Sequence, residues 1–145
     1  MKKLLWDESL ETGIIQIDIQ HKNLFNIFKV LSDAIDNGKS SSVIKYIIEE
    51  IERYGDYHTE TELGILEKYG ILSEDHQKEH EIFKEEVEKF KIKYVSTPDK
   101  ILAREIHDYL YDWVTNHIMK KDMIDFNRLK MIFKNLGKEE WQTYG

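Results

Sequence analysis

The residues best equipped to do chemistry in this chain are six histidines, because none of its 145 residues is a cysteine. Without cysteine there is no disulfide, iron–sulfur cluster, thiolate zinc site or cysteine nucleophile. Imidazole remains, as acid, base or metal ligand. His21, His58, His76, His80 and His117 all fall in phase with apolar residues at helical spacing. His58 and Glu62 are four residues apart, as are His76 and His80, so each pair stacks on one helix face. A lone histidine in an apolar stripe is usually a packed core residue. Such a stripe covers little over a quarter of the helix circumference, so five of six histidines landing there by chance is on the order of a one-in-a-hundred event. Five imidazoles buried together without a cation would also leave ring nitrogens in need of partners. The pattern therefore predicts a metal site. His117 and Asp122 are five apart, about 140° around an ideal α-helix and badly placed to chelate together. The helix must either widen there into a π-bulge or bend, and such widenings are often functional.

Cap and stop signals divide the chain into the elements that must position these residues. Asp18 reads as an N-cap, followed by the stripe His21, Leu24, Phe25, Phe28, Leu31 and Ile35, with a stop at Asn37-Gly38. Ser40, Ser41 and Ser42 are expected to cap a second helix carrying Ile44, Ile47, Ile48, Ile51, Tyr54, His58, Glu62 and Ile65, up to Tyr69-Gly70. Ser73 caps a third with His76, His80, Phe83, Val87 and Phe90. Thr97 caps a fourth, with Pro98 at its first helical position and the stripe Leu102, Ile106, Leu110, Trp113 and His117. A further amphipathic piece runs from Asp122 to about Leu136, ending at Gly137. Connections of about three to five residues favour antiparallel neighbours.

The prediction is an all-α, antiparallel up-down-up-down four-helix bundle in a single domain over residues 1–145. Residues 1–17 form an extended arm with Trp6 and Ile14-Ile15 free to pack on the bundle, 18–120 the bundle, and 122–136 a short C-terminal helix. At about 1.5 Å per residue, His21 lies about 5 Å above Asp18, His58 returns to about 4 Å and Glu62 to about −3 Å. His76 and His80 fall in the first two turns of the third helix, and His117 and Asp122 come back to the same end. Five histidines and two carboxylates therefore converge. His107, about 280° around from His117, is expected at the surface or bundle edge.

Composition narrows the function classes. With 21 basic and 28 acidic residues the formal charge is −7, which argues against a nucleic-acid binder. No run approaches the roughly 20 apolar residues of a membrane span, and the start of the chain has no signal-peptide pattern, so a soluble cytoplasmic protein is expected. The charge-rich stretch Lys84 to Lys93 reads as a solvated helix face.

Together these residues resemble the hemerythrins, specifically the single-domain bacterial type. The matching pieces are Trp6-Asp7, Gly13-Ile14, Asp18-Ile19-Gln20-His21-Lys22, His58 to Glu62, His76 to His80, and Trp113 through His117-Ile118 to Asp122. The resemblance covers nearly the whole chain up to about residue 130. It implies a non-haem di-iron centre, with His76, His80 and His117 on one iron and His21 and His58 on the other. Glu62 and Asp122 would bridge the irons beside an oxo or hydroxo bridge. The second iron would keep an open position for dioxygen. Imidazole and carboxylate suit iron, and the bridging anions offset part of its charge. An apolar pocket over the open position would limit water and proton entry. Its candidate residues are Leu24, Phe25, Leu66, Trp113 and Ile118, each of which also reads as ordinary core. Thr59 and Leu63 stand where family members often carry an aromatic residue and a second glutamate. Neither belongs to the ligand set, but Thr59 bears on oxygen affinity and autoxidation by making the pocket wetter or opening a path to solvent.

The expected function is reversible dioxygen binding for storage, delivery or buffering, by a monomer that is not an enzyme and that supplies an oxygen-consuming recipient. The rival readings use the same site as a di-iron oxidase or peroxidase, in handling nitric oxide, or as an oxygen or redox sensor acting in trans. Two other readings fail on the residues. His76-Gln77-Lys78-Glu79-His80 fits the HxxEH pattern of some zinc peptidases, but that leaves His21, His58 and His117 unexplained. Ferritin-like di-iron enzymes need Glu-x-x-His, which occurs nowhere in this chain.

Overall fold

Helix ends in this chain are set by a few local signals. The structure is a computed structural model that describes residues 2–135. After a short 3-10 turn at Glu8–Leu10 come α1 (Ile15–Asp36), α2 (Ser40–Lys68), α3 (Glu74–Lys93) and α4 (Asp99–Trp113). A π-helical segment, Val114–Asp122, leads without a break into α5 (Met123–Asn135). The predicted end of α5 at Leu136 and Gly137 lies outside the described residues. Among the described residues there is no strand, and no helix is long and apolar enough to cross a membrane.

Gly38 and Gly70 adopt φ of 67° and 71°, the left-handed conformation that ends α1 and α2 where the sequence predicts. Ser73 caps α3, its Oγ accepting from the His76 N–H at 3.0 Å. Three start signals act differently from expectation. Asp18 is not an N-cap: α1 begins at Ile15, and the Asp18 carboxylate reaches back to accept from Thr12 N–H, Thr12 Oγ1 and Gly13 N–H at 2.8, 2.8 and 3.2 Å. It ties down the arm, where orphan donors lie, instead of the helix behind it. The serines from 40 to 42 lie at or inside the first turn of α2, whose cap position, Lys39, makes no side-chain cap bond. Pro98, with φ −54° and ψ 135°, sits one residue ahead of α4. Its ring blocks only the N–H that a helix start leaves free.

In the bundle, α1 packs on α2 and α4, and α3 packs on α2 and α4. Two apolar clusters fill it. The larger holds Leu24, Phe28, Leu31, Ile47, Ile51, Phe83, Ile106 and Leu110 and receives Leu4 and Trp6 from the arm. Trp6 meets Phe25 edge-on at 5.3 Å, while Ile14 is fully buried and Ile15, expected to join it, is exposed. The smaller cluster joins Ile14, Ile17, Ile65, Leu66, Ile71, Phe126, Leu129 and Phe133. Along α1 the order is Ile17, His21, Leu24; along α2 it is Tyr54, His58, Glu62, Ile65; through the π segment it is Ile118, Asp122, Phe126. The polar residues thus occupy one layer between two apolar ones.

His107 departs from the surface or bundle-edge position expected for it. It is buried, with its ring 4.6 Å from that of Phe28. Nδ1 lies 3.0 Å from Asp108 Oδ1 and Nε2 lies 3.3 Å from the Lys2 carbonyl. The docked arm covers it.

Candidate metal centre

The structure brings all seven predicted site residues into that one layer, each fully or almost fully buried. Alternating helix direction explains the convergence. His21 lies early in α1, His58 and Glu62 late in α2, His76 and His80 early in α3, and His117 beyond the end of α4. His117 and Asp122 both fall in the π-helical segment, as the five-residue spacing requires. The Thr115 hydroxyl donates to the Tyr111 and Asp112 carbonyls at 2.9 and 3.3 Å, satisfying backbone oxygens where the helix widens.

The carboxylate oxygens divide between two groups of histidines. Glu62 Oε1 contacts His76 Nε2 and lies 3.0 Å from His80 Nε2 and 3.6 Å from His117 Nε2. Asp122 Oδ1 is 3.0 Å from both His76 Nε2 and His117 Nε2. The other pair of oxygens faces the other two rings: Glu62 Oε2 is 2.8 Å from His58 Nε2 and 3.7 Å from His21 Nε2. Asp122 Oδ2 is 3.0 Å from His21 Nε2 and 3.6 Å from His58 Nε2. Each carboxylate thus spans a three-histidine half and a two-histidine half. The ligand-type atoms of His58, Glu62, His80, His117 and Asp122 all lie within 4.8 Å of one another.

Only part of this closeness is hydrogen bonding: Glu62 Oε1 accepts from His76 Nε2 and His80 Nε2. Nε2 of His21, His58 and His117, Oε2 of Glu62 and both oxygens of Asp122 are buried without an aligned partner. Orphans of this kind cost on the order of 1–3 kcal/mol each, more when charged. Lone pairs aimed at a common space are what a cation would satisfy, and the imidazole and carboxylate donors suit iron.

Electrostatics agree for the metal-free site. Burial disfavours charge on His21 and His76, yet the Asp122 and Glu62 carboxylates outweigh it and raise them to about 9 and about 10. His117 is raised in the same way, chiefly by Asp122, against the effect of burial. Burial dominates at His80 and lowers it. Glu62 and Asp122 are held well below their ordinary values despite burial, by surrounding imidazoles, His58 foremost for Glu62 and His117 for Asp122. Where protons balance charge without metal, metal must displace them.

On their outer side, four of the five rings have a partner, and the spacing arguments predicted none of these bonds. His76 Nδ1 donates to Asp125 Oδ2 at 2.5 Å, and His117 Nδ1 to Glu79 Oε2 at 3.0 Å. His58 Nδ1 donates to Gln20 Oε1 at 3.0 Å, and the Gln20 amide NH2 donates to Thr61 Oγ1 at 3.0 Å, which fixes its orientation. His80 Nδ1 donates to the Thr59 hydroxyl at 3.0 Å. His21 Nδ1 has no partner. Thr59, expected to affect pocket wetness, anchors a ring. Glu79, the apparent general base of the HxxEH pattern, points to His117 instead. An available signal for Asp125 was its place one helical turn after Asp122.

Of the predicted pocket residues, Leu24, Phe25, Trp113 and Ile118 are buried in the larger cluster and Leu66 in the smaller. Trp113 stacks on His117 at 3.9 Å and meets His80 edge-on at 5.7 Å. Its Nε1–H donates to the Tyr54 hydroxyl at 3.4 Å, and the Tyr54 ring stacks on His58 at 4.9 Å.

Comparison with known proteins bears on this arrangement. The family model "Hemerythrin HHE cation binding domain" matches residues 12–129. A bacteriohemerythrin of Pseudomonas paraeruginosa is 33% identical over 84% of this chain and 78% of its own length. A bacteriohemerythrin of Clostridium acetobutylicum is 28% identical over 81% of this chain and 95% of its own. One of Stenotrophomonas maltophilia is 24% identical over 96% of this chain and 90% of its own.

Proposed function

Given that this chain belongs to the hemerythrin family, whose domain binds cations, we propose that the buried layer holds two iron ions and that the protein binds dioxygen reversibly for storage, delivery or buffering. The observation that carries this reading is the division of the carboxylate oxygens. One oxygen of Glu62 and one of Asp122 face His76, His80 and His117; the other two face His21 and His58. A single ion would leave half of these donors idle.

In this assignment His76, His80 and His117 would hold one iron, His21 and His58 the other, and Glu62 and Asp122 would be shared between them. The two-histidine half offers one protein ligand fewer, so a metal held there would have room for dioxygen. When bound, the two reduced irons together would supply the electrons that make dioxygen binding reversible. Five neutral imidazoles and two carboxylates make a less anionic site than a carboxylate-rich oxygenase, favouring reversible oxidation over higher valence. Leu24, Phe25, Ile118, Trp113 and Leu66 exclude water from the surroundings, which protects bound oxygen from protonation and loss. The Tyr54–Trp113 hydrogen bond keeps both rings flat against His58 and His117.

The deciding experiment measures iron content and visible absorption through cycles of anaerobic reduction, air exposure and argon purging. Two irons per chain, with an oxygen-induced band that disappears on purging, are expected. Rapid irreversible oxidation of two bound irons would move the function to the oxidase, peroxidase, nitric oxide or sensor readings. One iron or none would overturn the centre itself.

A further inference from the structure

The outer hydrogen bonds are unequal between the two halves of the site. In the three-histidine half, His76 and His117 donate to carboxylates, Asp125 at 2.5 Å and Glu79 at 3.0 Å. In the two-histidine half, His58 donates to the neutral amide of Gln20 and His21 Nδ1 has no partner. A carboxylate accepting the outer N–H makes an imidazole a stronger electron donor, and such partners commonly change affinity or activity 10–100-fold. The Asp125 contact is also buried, so solvent does not screen it. Neutral partners do not have this effect to the same degree.

We propose that Asp125 and Glu79 are positioning residues that make the two halves electronically unequal, so that when the two irons differ in charge the ferric ion resides in the half built by His76, His80 and His117. This rests on the two-iron reading above. It leaves the remaining ferrous ion in the half with the open position, which keeps the half-oxidised protein from closing that position with a tightly held anion.

The test counts iron in the loaded protein and then follows its two one-electron oxidations by mediated spectroelectrochemistry. Asp125→Asn and Glu79→Gln should each leave two irons bound but make the first step harder. The ferric-to-ferrous ratio at a fixed potential should fall about tenfold, or 59 mV for one electron. The second step should stay close to its original place, and Asp125→Glu should restore the first. Gln20→Glu gives His58 a carboxylate and should make the second step easier by a similar factor, narrowing the gap. A change that merely loosened the fold would not separate the steps in this way. Glu79 is only half-buried, so Glu79→Gln decides the matter if Asp125→Asn fails to fold. An unmoved first step in the carboxylate variants, or a Gln20→Glu shift in that same step, would overturn the inference while leaving the two-iron centre standing. Fewer than two irons in the unsubstituted protein would overturn both.

Discussion

Two glycines on α2 offer the sharpest physical test of how the layer is supported, because the same substitution should act in opposite directions at each. A Cβ at Gly64 would meet nothing within 4 Å. A Cβ at Gly55 would lie 3.0 and 3.1 Å from Cε1 and Cδ1 of Phe83. Phe83 is backed by other rings: its own is 4.7 Å from Trp113, 5.5 Å from Tyr54 and 5.9 Å from Tyr109, and it is almost wholly buried. Replacing glycine by alanine inside a helix gains about 1 kcal/mol, and overpacking a core costs about 1–3 kcal/mol. Gly64→Ala should therefore stabilise by about 1 kcal/mol, and Gly55→Ala should destabilise by about 0–2 kcal/mol. Propensity cancels between them, so their difference of about 1–3 kcal/mol isolates the clash with Phe83. Urea unfolding at fixed metal loading, followed by helical circular dichroism, reads this directly. With a slope of about 2 kcal/mol/M, the two midpoints should lie about 1 M apart. Equal stabilisation by both variants would refute the reasoning, because it would mean that Phe83 moves aside at no cost.

Three more outcomes are expected. His58→Ala or His117→Ala should lose most of the iron while much of the helical signal remains; full stoichiometric iron by metal analysis in either would remove that residue from the ligand set. Ser73→Ala removes the cap of α3 one turn before His76 and should cost about 1 kcal/mol in urea unfolding, with unchanged stability counting against the cap. In the metal-free protein, His21 and His76 are raised from 6.5 to about 9 and about 10, so their protonated forms favour the fold fully below pH 6.5. That stabilisation is lost as pH rises through 9 to 10, so the stripped protein should have a lower urea midpoint at pH 9 than at pH 6. Metal competes with those same protons, so iron affinity should change in the opposite sense and strengthen over that range.

Periodicity makes the helices and the inward-facing histidines and carboxylates legible, because both are set by angles repeated along the chain. Even the widening between His117 and Asp122 is written in a spacing that no regular helix accommodates. What the sequence conceals depends on contacts between distant segments. Asp18 has the residue type of a cap, and only the path of the arm decides which N–H groups it meets. His107 is misplaced when its angle is measured against His117, across the widened turn. Against Ala103, Leu110 and Val114, all buried, it is in phase with the core. Gln20, Thr59, Glu79 and Asp125 look like ordinary surface residues within a turn of the buried histidines and carboxylates, and only the ring orientations reveal which of them a histidine touches.

The π-helical segment also sets the angular register of α5. Up to His117 the buried positions of the fourth helix run Leu102, Ile106, Leu110, Trp113, and beyond it they run Asp122, Phe126, Leu129, Phe133. A uniform helical period carried on from His117 would bring residues 121, 124 and 128 inward, yet Ile124 is 65% exposed. The nine residues of the widened segment absorb that offset, so one unbroken rod presents two faces that a straight helix could not present together. Removing a single residue from 114–122 would make the hydrogen bonding more regular and turn all of α5 by about 100°. Phe126, Leu129 and Phe133 would then swing away from Ile14 and Leu66, so in this stretch, His117 and Asp122 apart, chain length should tolerate less change than residue identity.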